Sequence, residues 1–466
     1  MSRIGSKTSA KPIAGSGPSV GRRRLLKLAA GSVAAGALAP RLTVSAHAQS
    51  PTTITVWTWG GVQRFAPRVA AFKRLYPEEA ARINVQVVSP GQQDPEVYQA
   101  LRLALTSGSA LPDLVQMDYV GMPEFAESGA LTDLKEMMAP YEADLVDTAK
   151  QLTSYDGQVV AIPFQLKPKV WFYRKDLFEQ AGLDPVNIRT FDDYIAAGHR
   201  LREKLPKSYI MNIGDQPDDD LYWIMLSNWD DVRIADRNGT YQITRNPHFA
   251  QVLDWLSGWR HSGIAFNTDN WSPDWQPAFA DGTIAGSLIA SWMTDFLAKF
   301  APAQGGRWGI TAWPEFDRRG SNNGGSIFTI PAGAKNKEAA FQFAAKMLLE
   351  PKGALNEWQR TGNPMSIKSV RPQILELART MQRPSGMTDA EWAIVPANYF
   401  GRDFMQPIFK AFDWYHVPAF DPAAAAELTL ISRNTQEFLQ GKKTRDQALH
   451  DMEADMKAQI GNPYKS

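Results

Sequence analysis

From Thr53 onward, apolar runs of period two alternate with runs of helical period, and this alternation restricts the fold more than any other feature. Thr53 to Trp59 sets Ile54 and Val56 against outward threonines and predicts a strand; Gln63 to Tyr76 predicts a helix and Ile83 to Val88 a second strand. Val97, Leu101, Ala104 and Leu105 then mark an amphipathic helix, and Pro112-Asp113-Leu114-Val115 starts a third strand. Strand, helix, strand in repetition is the pattern of α/β layers built on mainly parallel sheet. No repeat appears at the 20–50-residue periods of solenoids.

The N-terminus reads as an export leader. Arg22-Arg23-Arg24-Leu25-Leu26-Lys27 fits a twin-arginine signal, Leu28 to Ala39 is a weakly apolar stretch, and Ala46-His47-Ala48 is a cleavage site. Residues 1–48 are thus expected to be a signal peptide, with the mature, periplasmic chain starting near Gln49. The apolar stretch is too short and too rich in small residues for a membrane span, and no later run reaches the roughly 18 apolar residues a span needs, so a soluble product is expected. The sequence has no cysteine, which excludes a lipid anchor on a mature N-terminal cysteine, a disulfide framework and a thiolate-held iron–sulfur cluster.

Loss of the leader removes eight basic residues and no acids, leaving 42 Lys and Arg against 49 Asp and Glu. That net charge of −7 argues against a nucleic-acid partner. The histidines His199, His248, His261, His416 and His450 lie far apart and form no metal-ligand spacing, so neither metal nor cofactor is expected. The remaining ~420 residues exceed what one hydrophobic core supports, so two lobes are expected.

The stretch from Phe279 to Pro364 is the most distinctive. It opens with Phe279-Ala-Asp-Gly282, runs through an apolar strand from Ile284 to Ile289 and delivers Trp292 where that strand ends. Gly324-Gly325 and the apolar run Ile327 to Ile330 follow. A helix from Lys335 with an apolar side at Ala340, Phe343, Ala344, Met347 and Leu348 comes next, and Thr361-Gly-Asn-Pro364 closes the stretch. In motif order as well as type this resembles the family 1 extracellular solute-binding proteins, which include maltose-binding protein and serve carbohydrate ABC importers. Ile162-Pro163, Tyr173-Arg-Lys-Asp-Leu-Phe178 and Ala181-Gly182 are similar to the family at the first passage between lobes, whereas Leu205 to Asn270 matches little.

The resemblance implies a two-lobe fold crossed three times, near Phe164 to Lys167, Ala290 to Asp295 and Leu349 to Lys352. The lobes would then be 49–166 plus 293–350 and 167–292 plus 351–466. It also implies a monomer that closes on a sugar and hands it to ABC permease subunits, without catalysis. Two other readings stay open: a secreted carbohydrate-active enzyme with paired carboxylates, and a binding protein for a charged solute that is not a sugar.

A sugar offers an apolar C–H face and a ring of hydroxyls, so its site needs aromatic platforms and directional hydrogen bonds. Of the 15 tryptophans, Trp57 and Trp59 close the first strand beside Gly60-Gly61, and Trp292 stands where the family's members stack a sugar ring. Trp223, Trp229, Trp271, Trp275 and Trp414-Tyr415 lie in loops or between helices and are lesser candidates; Trp255, Trp259, Trp358 and Trp392 sit in helical patterns and Tyr173 in a strand, as core residues would. Loops at strand ends add Gln92, Gln93 and Asp94 after the second strand, Asp118 (with Tyr119) after the third, Gln165 and Lys167 at the first crossing, and Gly324 and Gly325 as backbone donors. Each has a plainer role open to it: core packing for the aromatics, a turn for the glycines, a helix cap for Asp94, which precedes Pro95.

Some motifs carry no chemistry. Gly17-Pro-Ser19-Val-Gly21 lies in the leader, Asp218-Asp219-Asp220 is an acidic loop, and Asp236-Arg-Asn238-Gly239 is a hairpin turn. One departure is informative. Family members often carry an acidic residue four positions after the proline of the first crossing; here that residue is Lys167. An ammonium in a partly dry cleft favours an anion, so the sequence raises the expectation of a ligand bearing a carboxylate or phosphate, against the plain alternative that Lys167 pairs with a nearby acid.

Overall fold

The computed structural model describes residues 50–214, 222, 225–226, 229, 231–314, 320–321, 324–383, 387–412, 415–416 and 419–465. The expected leader, Asp218 to Asp220, Trp223 and Trp414 lie outside them. The elements that position the site are, in chain order, β1 (Thr52–Trp59), α1 (Val62–Leu75), β2 (Ile83–Gly91), α2 (Asp94–Ser107), β3 (Leu114–Asp118), β4 (Ile162–Pro163) and β5 (Lys169–Arg174). They continue with β6 (Met211–Asn212), β7 (Ala265–Phe266), β8 (Gly286–Ala290), α3 (Met293–Phe300), β9 (Trp308–Thr311), β10 (Ser326–Thr329), α4 (Lys337–Leu348) and α5 (Pro351–Thr361).

The first sheet has the order β2-β1-β3-β10-β4. β1 runs parallel to β2 and β3, with Val56 opposite both Val87 and Leu114, and β10 runs antiparallel to β3 and β4. In the second sheet β5 lies between β8 and β9, antiparallel to both, with Leu288 opposite Trp171 and Ile310 opposite Phe172. β6 and β7 form a parallel pair, tied to the approach to β8 by a parallel bridge between Tyr209 and Ile284. The sequence β7-β6-β8-β5-β9 therefore repeats the plan of the first sheet. The expected parallel strands are present, and each sheet also takes one central strand the other way. β5 and β10 are the first strands their sheets receive after a passage between lobes, so they enter from the cleft edge, toward which the parallel strands run.

β9 corrects the expected lobe boundaries. Its ladder with β5 places Trp308–Thr311 in the second sheet, while Ser326–Thr329 pairs in the first. The second crossing lies between Thr311 and Ser326, not near Ala290 to Asp295, and the segment 293–350 is divided between lobes. Trp292 ends β8 without leaving the second lobe, because the chain turns straight into α3.

The helices follow their apolar stripes. Ala340, Phe343, Ala344, Met347 and Leu348 of α4 are all buried, and Phe343 meets Phe72 of α1 edge-on at 5.0 Å. α5 packs on α4 and α1 and also touches α3. Between these helices lies a buried ionic network. Glu357 Oε1 accepts from Arg68 at 2.7 Å, from Arg360 at 2.6 Å and from Gln165 Nε2 at 3.1 Å. Burial alone would raise the Glu357 carboxyl, but Arg360 and Arg68 outweigh it and bring its pKa down to about 2. No helix among the described residues is long and apolar enough to cross a membrane.

Candidate ligand-binding cleft

Parallel strands deliver their C-terminal ends, and the loops after them, to one edge of a sheet, where open α/β sheets take ligands. Here that edge is locked from beneath. Thr58 donates to Gln116 Oε1 at 2.5 Å and Gln116 Nε2 donates to Ser326 Oγ at 2.9 Å, tying the ends of β1, β3 and β10 together.

Above this tie four expected residues converge. Gly324 has φ 64°, and a side chain built on it would lie 3.5 Å from Asp118 Oδ2, 3.9 Å from Lys167 Cδ and 4.0 Å from Trp292 Cδ1. Only glycine fits that backbone comfortably while leaving the space between these three groups open. Asp94, the first residue of α2, joins through Tyr98. The Tyr98 hydroxyl accepts from the Asp118 N–H at 3.0 Å and bonds the Asp94 carboxylate. The plain cap role does not describe Asp94, since Gln93 is the N-cap of α2. Burial, with Asp94 adding to it, pushes the Asp118 carboxyl up to about 7, while Lys167 and the Val120 and Tyr119 N–H groups pull the other way. Lys167 thus faces a carboxylate supplied by the protein itself.

The aromatic side is arranged differently from the expectation. Trp292 is only 6% exposed, and its flat face is covered by Trp271 at 5.5 Å and 18°. Trp271 is 45% exposed and holds φ 65°, a left-handed backbone that is rare for a bulky side chain. Phe296 and Phe300 hold it edge-on at 5.1 and 6.3 Å. Strain of this kind persists only where surroundings enforce it, and it gathers at binding sites. Its neighbour Trp275 is fully buried, and Trp229 is committed to a stack on His248 at 4.0 Å.

The other expected residues stand apart from this convergence. Trp57 and Trp59 are half-buried against the Val97, Tyr98 and Leu101 side of α2. Gln92 and Gln93 are exposed, and their N–H groups bond the Glu96 carboxylate in the cap of α2. Gln165 turns inward to Glu357 and Thr361, the core position its bridge to Met365 dictates. Gly325 is buried. Trp259 and Trp358 are core residues, as their helical patterns predicted. Two residues beside this convergence, Trp271 and Arg64, carry little signal in the sequence. The first has its signal in an unusual loop conformation, and the second sits on a helix face that reads as solvated. Among the described residues no group of histidine or acidic side chains forms a metal site.

Residues 62–354 match the model of the bacterial extracellular solute-binding proteins. Among curated proteins, the lactose-binding protein of Rhizobium radiobacter is 29% identical over 338 residues, covering 69% of this chain and 75% of that one. The arabinooligosaccharide-binding protein of Bacillus subtilis (strain 168) is 24% identical over 321 residues, covering 67% and 72%. Among solved structures, the ABC transporter associated binding protein from B. animalis subsp. lactis Bl-04, in complex with beta-1,6-galactobiose, shares the fold. Its TM-score is 0.72 at 21% identity, over 89% of this chain and 99% of that chain. These relatives are binding proteins rather than enzymes. With the family model matched over well more than half of its length and both sheets on one plan, this chain belongs to the bacterial extracellular solute-binding proteins.

Proposed function

We propose that the chain is the binding component of an ABC importer for a sugar or oligosaccharide, exported by the twin-arginine route, acting as a monomer in the periplasm and delivering its ligand to permease subunits. The observation that carries this reading is the meeting of Asp118, Asp94, Lys167 and Gly324 with the Trp271–Trp292 stack at the mouth of the first sheet. Carboxylates accept from sugar hydroxyls, an ammonium donates to them, and an exposed indole lies against the C–H face. The relatives named for lactose and arabinooligosaccharides support the same ligand class. Trp271 is the platform in this reading, and Trp292 backs it.

A ligand held only by the native state adds about 2.7 kcal/mol at a hundredfold excess over Kd. With ~2.1 cal/mol/K of unfolding entropy per residue, that moves Tm of a mature chain this long by about 3 °C. A thermal-shift screen with lactose, β-1,6-galactobiose and arabino-oligosaccharides should find such a shift. Trp271→Ala should remove most of it at unchanged unliganded Tm, and Trp292→Ala should lower that unliganded Tm as well. Full retention of binding by Trp271→Ala would overturn the assignment of the platform. The raised Asp118 beside Asp94 is also what a glycosidase acid would show, so the same incubations are checked for product; release of monosaccharide would favour the enzyme.

A further inference from the structure

We infer that the Arg64 side of the cleft is a subsite for an anionic substituent on the sugar, the carboxylate of a uronate or a phosphate ester. The inference rests on the proposed sugar site at Trp271–Trp292 and adds the charge of its ligand.

Arg64 is the third residue of α1, which starts directly after Gly60-Gly61 at the cleft edge with neither a capping side chain nor an acid in its first turn. The positive end of that helix is therefore not neutralised locally. The Arg64 guanidinium lies 5.1 Å from the centre of the Phe296 ring, and Phe296 meets Trp271 and Trp292 edge-on at 5.1 and 5.6 Å. The cation thus flanks the aromatic pair. It is exposed, and among the described residues no hydrogen bond or ion pair holds it.

The charges around it do not balance. Asp295 and Glu357 are the acids that Arg64 feels, and Arg360 opposes them. Both acids are already engaged. Glu357 takes Arg68 and Arg360, and Asp295 takes Lys299 at 2.7 Å. Four cations, Arg64, Arg68, Arg360 and Lys299, share two carboxylates, and the buried Nε atoms of Arg68 and Arg360 lack partners. Partial removal of the guanidinium from water lowers the Arg64 pKa, and Arg360 adds to this, against the opposing pull of Asp295 and Glu357. Lys167, the residue that first suggested an anion, lies near Asp118 and Asp94, and it does not figure among the charges that act on Arg64. The aromatic pair therefore has near it both an acidic group suited to hydroxyls, Asp118 with Asp94, and a basic group suited to an anion, Arg64 with its neighbours. A planar guanidinium matches a carboxylate or phosphate in two parallel hydrogen bonds.

The test measures Kd by titration calorimetry for galactobiose, digalacturonate, galactose 6-phosphate and inorganic phosphate, on wild type, Arg64→Met and Arg64→Lys. Wild type should prefer one of the acidic saccharides to galactobiose by about 10- to 100-fold, the worth of one charge-assisted contact. Arg64→Met should abolish that preference while changing galactobiose affinity less than about 3-fold, Arg64→Lys should restore part of it, and added salt should weaken it. Preference for digalacturonate identifies a carboxylate, and preference for galactose 6-phosphate a phosphate ester. Tighter binding of galactobiose, equal loss of acid and neutral ligands in Arg64→Met, or binding of inorganic phosphate alone overturns the inference and leaves the sugar site standing. Failure of every saccharide to bind overturns both.

Discussion

Asp118→Asn separates stability from binding at this site. The carboxyl is half-buried and crowded by Asp94, and burial pushes its pKa up to about 7 from the 3.8 of a free aspartate. A raised folded-state pKa means that the folded chain holds the proton more tightly than the unfolded chain. The resulting stabilisation is complete below pH 3.8 and is lost as pH climbs through 7. The shift corresponds to a ceiling of about 4 kcal/mol, and partial contact with water reduces this to about 2 kcal/mol. Asparagine keeps the shape and removes the charge. The unliganded variant should gain about 2 kcal/mol over wild type at pH 8, or about 2 °C in Tm for a chain of this length, and gain nothing near pH 4. Lys167 loses its partner in the exchange, so the gain is read again on a Lys167→Met background. The same change takes away an ionised acceptor for a sugar hydroxyl, and affinity should fall about 10-fold or more. Calorimetric melting at pH 4, 6 and 8, with and without sugar, reads both effects. An unliganded variant less stable than wild type at pH 8 on both backgrounds, or one that keeps its affinity, refutes the reasoning.

The Glu357 network makes a prediction of opposite sign. Glu357→Gln leaves the buried Arg68 and the half-buried Arg360 without their counter-charge and should cost about 3–5 kcal/mol in denaturant unfolding; a loss under 1 kcal/mol would show that water reaches the site. Since its folded pKa is depressed to about 2 from 4.5, wild type should lose about 3 kcal/mol as pH falls between those values, and the variant should not. For export, replacing Arg22 and Arg23 with lysine should leave unprocessed precursor in the cytoplasm, and normal periplasmic accumulation would reject the twin-arginine route.

Local features of the fold were legible because local chemistry decides them. The period-two run of β1 and the apolar stripe of α4 formed within one or two residues of their expected bounds, since each has one face to bury. The pairing partner of Trp308–Thr311 is a strand about 135 residues earlier, and nothing within the segment announces it. That is why the second crossing was misplaced. The cleft divides along the same line. Asp94, Asp118, Lys167 and Gly324 stand together because strand ends can be located from the pattern, and the fold then brings strand ends together. Gln165 shared that location, yet its amide points to Glu357, far along the chain, so position alone could not give its orientation. The relative exposure of Trp292 and Trp271 has a related reason. Which of two stacked rings meets solvent depends on the left-handed turn at Trp271 and on the phenylalanines of α3 that brace it. Arg64 was the hardest to see. A lone arginine on a helix face is ordinarily solvated, and it becomes informative only once the acids near it are shown to be engaged by Arg68, Arg360 and Lys299. Charge balance in a cleft is a property of side chains gathered here from three segments of the chain, so it is the feature of this site that only the folded structure could supply.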